Sequence, residues 1–242
     1  MSESAKFFDA LNRDPAPERE TGSRAPRPRD AATLILVRRD GAEPRLLMGK
    51  RSGKHSFMPD KYVFPGGRVE ASDGRMPSCT QPRADMLAPL GHETRRALRA
   101  FPLTAIRETF EETGLIVGKP GEAPDRVPPG WQPFVETGAL PCLQHLTFIG
   151  RAITPPYRHK RFDARFFMAE ADQALIDDRP PLDSRELHDL QWVTVEEARG
   201  LDLPRITQFM LAEVAEHLDP DRANPRPPVL KWLRGAHTMV RL

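Results

Sequence analysis

The stretch Arg107-Glu108-Thr109-Phe110-Glu111-Glu112-Thr113-Gly114-Leu115 decides how this chain is read, and it lies downstream of a Pro65-Gly66-Gly67 turn. It sets three carboxylates within one and a half helical turns. Glu108 and Glu112 are separated by four residues and Glu108 and Glu111 by three, so on a helix their side chains converge on one surface. Like charges at this spacing repel by roughly a few tenths of a kcal/mol per pair, and a bound cation relieves that repulsion. Hard carboxylate oxygens suit Mg2+ or Mn2+. Ala105, Ile106 and Phe110 can supply the buried side of the helix, and Gly114 can take the left-handed conformation that ends it. Three glutamates alone read as a solvated acidic face. The residues around them point instead to a metal site.

Those flanks resemble the Nudix hydrolase family. Its box reads glycine, five residues, glutamate, seven residues, arginine-glutamate, an apolar residue, any residue, glutamate-glutamate, any residue, glycine and an apolar residue. Arg107, Glu108, Glu111, Glu112, Gly114 and Leu115 match the second half, with Thr109 where an apolar residue is usual, and Gly67 matches the first. Gly67 and Arg107 are 40 positions apart, whereas the family pattern separates them by 14, so the motif carries an insertion at about 74–99. Counting forward from Gly67, the position of the box glutamate holds Asp73; counting back from Arg107, it holds Arg99. Asp73 is the better partner for Arg107. Within the insertion, Pro77, Ser78 and Pro82 read as loop, and His92 to Arg99 as a short helix broken at Pro102.

The interrupted box, with Phe57 to Gly67 and Arg161 to Phe167, is similar to the Nudix branch that includes peroxisomal coenzyme A diphosphatases. The resemblance implies an α/β/α sandwich with a mixed β-sheet and Mg2+- or Mn2+-dependent hydrolysis of a nucleoside diphosphate linkage. It implies Glu108, Glu111 and Glu112 as metal ligands with the Gly66 or Gly67 carbonyl, and Arg107 as the group that orients the glutamates. For the general base it leaves two residues, Glu108 and Glu186, the latter in a loop six residues before Trp192. Arg51, Lys54, His55 and Lys61 precede the Gly-Gly turn and could meet substrate phosphates, as could Arg158, Lys160 and Arg161; each alone reads first as surface charge.

The rest of the chain agrees with a compact enzyme. Its 242 residues suit one domain over 31–224, with a polar, proline-punctuated arm at 1–30 expected to be flexible and a partly docked tail at 225–242. Strands are expected at 32–37, 45–50, 62–64, 143–153, 162–169 and 190–193. Helices are expected to start at Thr194 and to span 203–217. A net charge of +2 gives no general affinity for nucleic acid or membrane. Cys79 and Cys142 form no metal-ligand pattern and suggest a reducing compartment. With no long apolar run, the expected location is the cytoplasm. No HExxH, GxSxG or Walker pattern occurs, which disfavours a zinc protease, a serine esterase and a P-loop ATPase. The expected partner is therefore a small nucleotide, coenzyme A or an acyl-CoA first, with ADP-ribose or a nucleotide sugar as the alternative and a non-catalytic nucleotide-sensing module as the second. Many relatives are dimers, which leaves a homodimer open.

Overall fold

The computed structural model describes residues 3–13, 25–53, 58–91, 93–94, 96–222 and 225–242. At its centre is strand β1 (Arg29–Arg38), whose apolar run is buried on both faces, as a central strand requires. Ala32, Leu34 and Leu36 enter one core while Ile35 and Val37 enter the other. Successive residues point to opposite sides of a strand, so this one sequence of alternating contacts fixes a three-layer sandwich.

The remaining strands are β2 (Arg45–Arg51), β3 (Tyr62–Val63), β4 (Gly66–Arg68), β5 (Gly118–Pro120), β6 (Ala139–Pro141), β7 (Thr147–Ile153), β8 (Phe162–Glu170), β9 (Leu187–Thr194), β10 (Pro228–Leu233) and β11 (Ala236–Arg241). The helices are α1 (Glu3–Leu11), α2 (Ala84–Leu90), α3 (Ala100–Thr113), α4 (Gln132–Val135), α5 (Ala171–Ala174), α6 (Val195–Arg199) and α7 (Arg205–Leu218). The large sheet runs β11-β10-β7-β8-β1-β2-β3, with β4 also on β1 and β9 also on β2; β5 and β6 form a separate pair. It is mixed, since β1 is parallel to β8 and antiparallel to β2. Residues of α2, α3 and α4 pack with one face, and those of α1, α6 and α7 with the other.

Three expectations are corrected. The N-terminal arm was expected to be flexible, but Glu3–Leu11 form a helix whose Phe7, Phe8 and Leu11 join the second core. There the Ser4 hydroxyl donates to Glu216 Oε1 at 2.6 Å, and Arg241 pairs with buried Glu213 at 2.8 Å, so both ends of the described chain meet on α7. The helix expected at 92–99 is replaced by α2, eight positions earlier, and Pro102 lies in the first turn of α3, where proline's missing N–H has no helical partner to lose. The tail forms the β10–β11 hairpin, which extends the sheet through β7. The expected capping box is present: Thr194 Oγ1 accepts from Glu197 N–H, and Glu197 accepts from Thr194 N–H.

Candidate active site

Strands β1 and β2 pair through only two residue couples, Val37 with Leu46 and Arg38 with Arg45. The other end of β1 is taken by β4, where Ala31, Ala32 and Thr33 face Arg68, Gly67 and Gly66. The Gly-Gly turn is thereby held against the sheet with α3 beside it. Its backbone fills space that side chains would need. A Cβ on Gly66 would lie 2.6 Å from the Ala32 carbonyl, and one on Gly67 would lie 2.4 Å from the Glu108 carboxylate.

Helix α3 carries the charged groups. It ends at Gly114, whose φ of +70° is the left-handed cap and whose N–H donates to the Phe110 carbonyl at 2.8 Å. Glu112 is 8% exposed and accepts the Gly66 N–H at 2.8 Å. Burial, reinforced by the Glu108 charge, pushes its carboxyl up to about 8 against the pull of the Gly66 hydrogen bond and Arg51. Burial likewise pushes Glu108 up to about 7, with Arg107 opposing and Glu111 adding to the rise.

Arg107 is the fixed point of the site. Its guanidinium donates to Asp73 through Nε at 2.9 Å and Nη2 at 3.2 Å, to the Arg68 carbonyl at 3.0 Å and to Glu111 at 3.0 Å, and it pairs with Glu108 at 2.9 Å. Burial alone would lower its pKa, but Asp73, Glu108 and Glu111 hold it above the usual arginine value. Asp73 does the work expected of the box glutamate and is fully buried. It also accepts from Thr104 Oγ1 at 2.6 Å, Trp131 Nε1 at 3.0 Å and its own turn at Glu70 N–H, 2.8 Å. Thr104 and Trp131 were missed. One turn of helix separates Thr104 from Arg107, a spacing that could have flagged it; nothing in the spacing points to Trp131.

The expected site residues fall into groups. Arg51, the last residue of β2, lies within electrostatic reach of Glu112, Glu186 and Glu108, whose charges oppose the lowering of its pKa by burial. Glu186 is exposed on the loop before β9, where its backbone carbonyl accepts from Ser52 N–H at 3.0 Å. Lys61 belongs elsewhere, bound to Asp202 at 2.5 and 2.6 Å. Arg161 donates to the Thr154 and Pro26 carbonyls at 2.9 and 2.8 Å, which ties the start of β8 to its neighbours. Lys54 and His55 lie outside the described residues.

Among the described residues no group of three or more His, Cys, Asp or Glu side chains is close enough to hold a metal ion. The three glutamates therefore do not converge as their spacing suggests, because Glu111 turns to Arg107 and keeps 41% of its side chain exposed. Glu108, partly buried and paired with Arg107, and Glu112, buried within reach of the Arg51 charge, remain together. That donor set still fits Mg2+, which is usually held by one or two carboxylates and completes its shell with water and substrate phosphates.

No family model matches the chain. A Caenorhabditis elegans protein named nudix hydrolase 7 is 29% identical over 182 residues, covering 70% of this chain and 52% of its own length. The Gallus gallus acyl-coenzyme A diphosphatase NUDT19 is 38% identical over 101 residues, 33% of this chain and 27% of its own. The chain thus spans about half or less of the length of these curated relatives. The crystal structure of a Nudix hydrolase from Alicyclobacillus acidocaldarius aligns with a TM-score of 0.57 at 28% identity, covering 78% of this chain and 92% of that one.

Proposed function

We propose that the chain, which is similar to Nudix hydrolases in sequence and fold, is a Mg2+- or Mn2+-dependent diphosphatase whose substrate is coenzyme A or an acyl-CoA, cleaved to 3',5'-ADP and (acyl-)4'-phosphopantetheine. The observation that carries the chemistry is the pair of partly buried Glu108 and buried Glu112 beside the Gly66-Gly67 backbone, braced by Arg107 and Asp73. The likeness to the chicken acyl-coenzyme A diphosphatase supports the choice of substrate.

Glu108 and Glu112 would hold the metal, with Gly67 able to lend its carbonyl and Glu111 available once it leaves Arg107. A divalent ion at that position neutralises diphosphate oxygens and lowers the pKa of bound water. The protein's own groups do the positioning. Arg107, fixed by Asp73, orients Glu108 and offsets part of the rise in its pKa caused by burial and Glu111. Gly66 N–H orients Glu112. Arg51 supplies positive charge at the carboxylates, where the diphosphate would bind. Glu186, on an exposed loop within reach of both Glu112 and Arg51, is assigned to take the proton from attacking water, in preference to Glu108, which is committed to Arg107 and the metal.

The substrate assignment is tested by comparing coenzyme A, dephospho-CoA and ADP-ribose with Mg2+ or Mn2+. A site built for the 3'-phosphate leaves a basic group unpaired when that phosphate is missing. Coenzyme A should therefore show about 10-fold or more higher kcat/KM than dephospho-CoA, equivalent to ~1.4 kcal/mol. Equal efficiency, or preference for ADP-ribose, would move the substrate to nucleotide diphosphates in general. No turnover of any of them would instead favour a binding module.

A further inference from the structure

The box insertion touches the core at a point unrelated to the carboxylates. Cys79, in the insertion, donates its backbone N–H to the Pro141 carbonyl at 3.0 Å, which sets it beside Cys142 at the end of β6. The next residue locks the register: Thr80 Oγ1 lies 3.4 Å from Cys142 Sγ and accepts the N–H groups of Leu143 and Gln144 at 2.9 and 3.1 Å. Cys79 is exposed and Cys142 is buried, and both are free thiols. Two adjacent segments in fixed register, one thiol open to solvent and its neighbour shielded, are the elements of an attacking and a resolving cysteine.

We propose that Cys79 and Cys142 are a dithiol modification site that closes to a disulfide with low-molecular-weight disulfides such as oxidised glutathione, covalently stapling the box insertion to the β5–β6 hairpin. Cys79, as its thiolate, attacks one sulfur of oxidised glutathione; an S–S bond forms to Cys79 and one glutathione thiolate leaves. Cys142 then loses its proton, attacks the Cys79 sulfur and expels the second glutathione thiolate. The two protons lost by the protein thiols are taken up by the two leaving thiolates. Two protein thiols are oxidised as one glutathione disulfide is reduced to two thiols.

Partial shielding of its sulfur and then the neighbouring Cys142 push the Cys79 thiol up to about 11, so little thiolate exists at neutral pH and closure is slow there. The pair is suited to a gradual latch rather than a fast sensor. The 62 residues between the two cysteines include Asp73's partners Thr104 and Arg107. Closing that loop removes freedom from the unfolded chain and leaves the carboxylate site itself untouched.

The test is to incubate the folded full-length protein with oxidised glutathione at mildly alkaline pH and measure intact mass without reductant. The expected product is monomeric protein lighter by two hydrogens, with a non-reduced peptide map joining Cys79 to Cys142 and a Tm higher by roughly 5 °C or more. Cys142→Ser should stop at a stable glutathione adduct on Cys79, and Cys79→Ser should remain unmodified while folded. A lasting glutathione adduct on the wild type, a disulfide-linked dimer or an unmodified wild type would each overturn the proposal. Reduced Cys79→Ser and Cys142→Ser proteins that retain the wild-type circular dichroism spectrum exclude misfolding as the cause of their behaviour.

Discussion

Single atoms decide much of this site, and Glu112 is the clearest case. Its carboxylate is buried against Gly66 N–H and raised to about 8, so in the metal-free protein the charged form is disfavoured relative to the unfolded chain. Glu112→Gln keeps an oxygen that can accept from Gly66 but cannot serve a metal as an anion. Turnover should fall by about 100-fold or more. The same variant should be more stable than wild type in EDTA at pH 8, by about 1 kcal/mol or more in urea titration. A stability loss with activity retained would remove Glu112 from the metal set. Asp73 behaves in the opposite way. Asp73→Ala removes the acceptor of Arg107 Nε and Trp131 Nε1, both buried, and should cost about 3–5 kcal/mol, seen as a large drop in urea midpoint. Glu186→Gln should lower kcat by roughly 100-fold with little change in metal affinity. An unchanged kcat would transfer the base to Glu108.

At the scale of elements, the Gly-Gly turn joins β4 to the site through two glycines with different duties. Gly66 meets backbone, since an added Cβ would sit 2.6 Å from the Ala32 carbonyl and 2.7 Å from Thr33 Cα. At Gly67 the nearest atoms are instead the end of a side chain, the Glu108 carboxylate. Gly66→Ala must therefore move a central strand and should destabilise by about 2 kcal/mol or more, whereas Gly67→Ala can be absorbed by displacing Glu108. We expect near-native circular dichroism and Tm for Gly67→Ala with about 10-fold or more loss of turnover, and a clear Tm drop for Gly66→Ala. Similar Tm losses in both would contradict the division of roles. Apolar strand runs such as 32–37 and the capping box at Thr194 are local signals, and their elements formed where expected. Helix α1 was legible in principle from Phe7, Phe8 and Leu11 but was outweighed by the prolines that follow it. The insertion was misread because a short charged segment carries no helical preference strong enough to act without its packing partner, whereas Met86 and Leu90 of α2 are buried in the core. Glu111 turns away from Glu108 and Glu112 for a related reason. Spacing fixes the face of the helix, but Arg107 at four residues' distance decides where the side chain points.

For the whole molecule, the raised carboxylates link folding to pH and metal. Glu108 and Glu112 titrate at about 7 and about 8 in the folded protein against an ordinary 4.5. Between those values the folded state holds protons that the unfolded chain has released, so stability falls as pH rises through the window. The histidines His145, His217 and His237 act at the acid end. Burial lowers their pKa from 6.5, so protonation weakens the fold as pH falls, and their contribution levels off about one pH unit above 6.5, where the unfolded chain has lost its histidine protons too. Across the range from about pH 6.5 to 8 the carboxylates outweigh the small residual histidine contribution of opposite sign. In EDTA, urea-derived stability should decline by about 1 kcal/mol or more across it. With saturating Mg2+ or Mn2+ the decline should shrink or vanish, because a cation takes the place of the protons and binds only the deprotonated site. The metal-induced rise in Tm should therefore be larger at pH 8 than at pH 6.5. In Glu112→Gln both the pH slope and the metal effect should diminish together. A flat profile in EDTA, or equal metal stabilisation at both pH values, would mean that these carboxylates are not the groups coupling the fold to its cation.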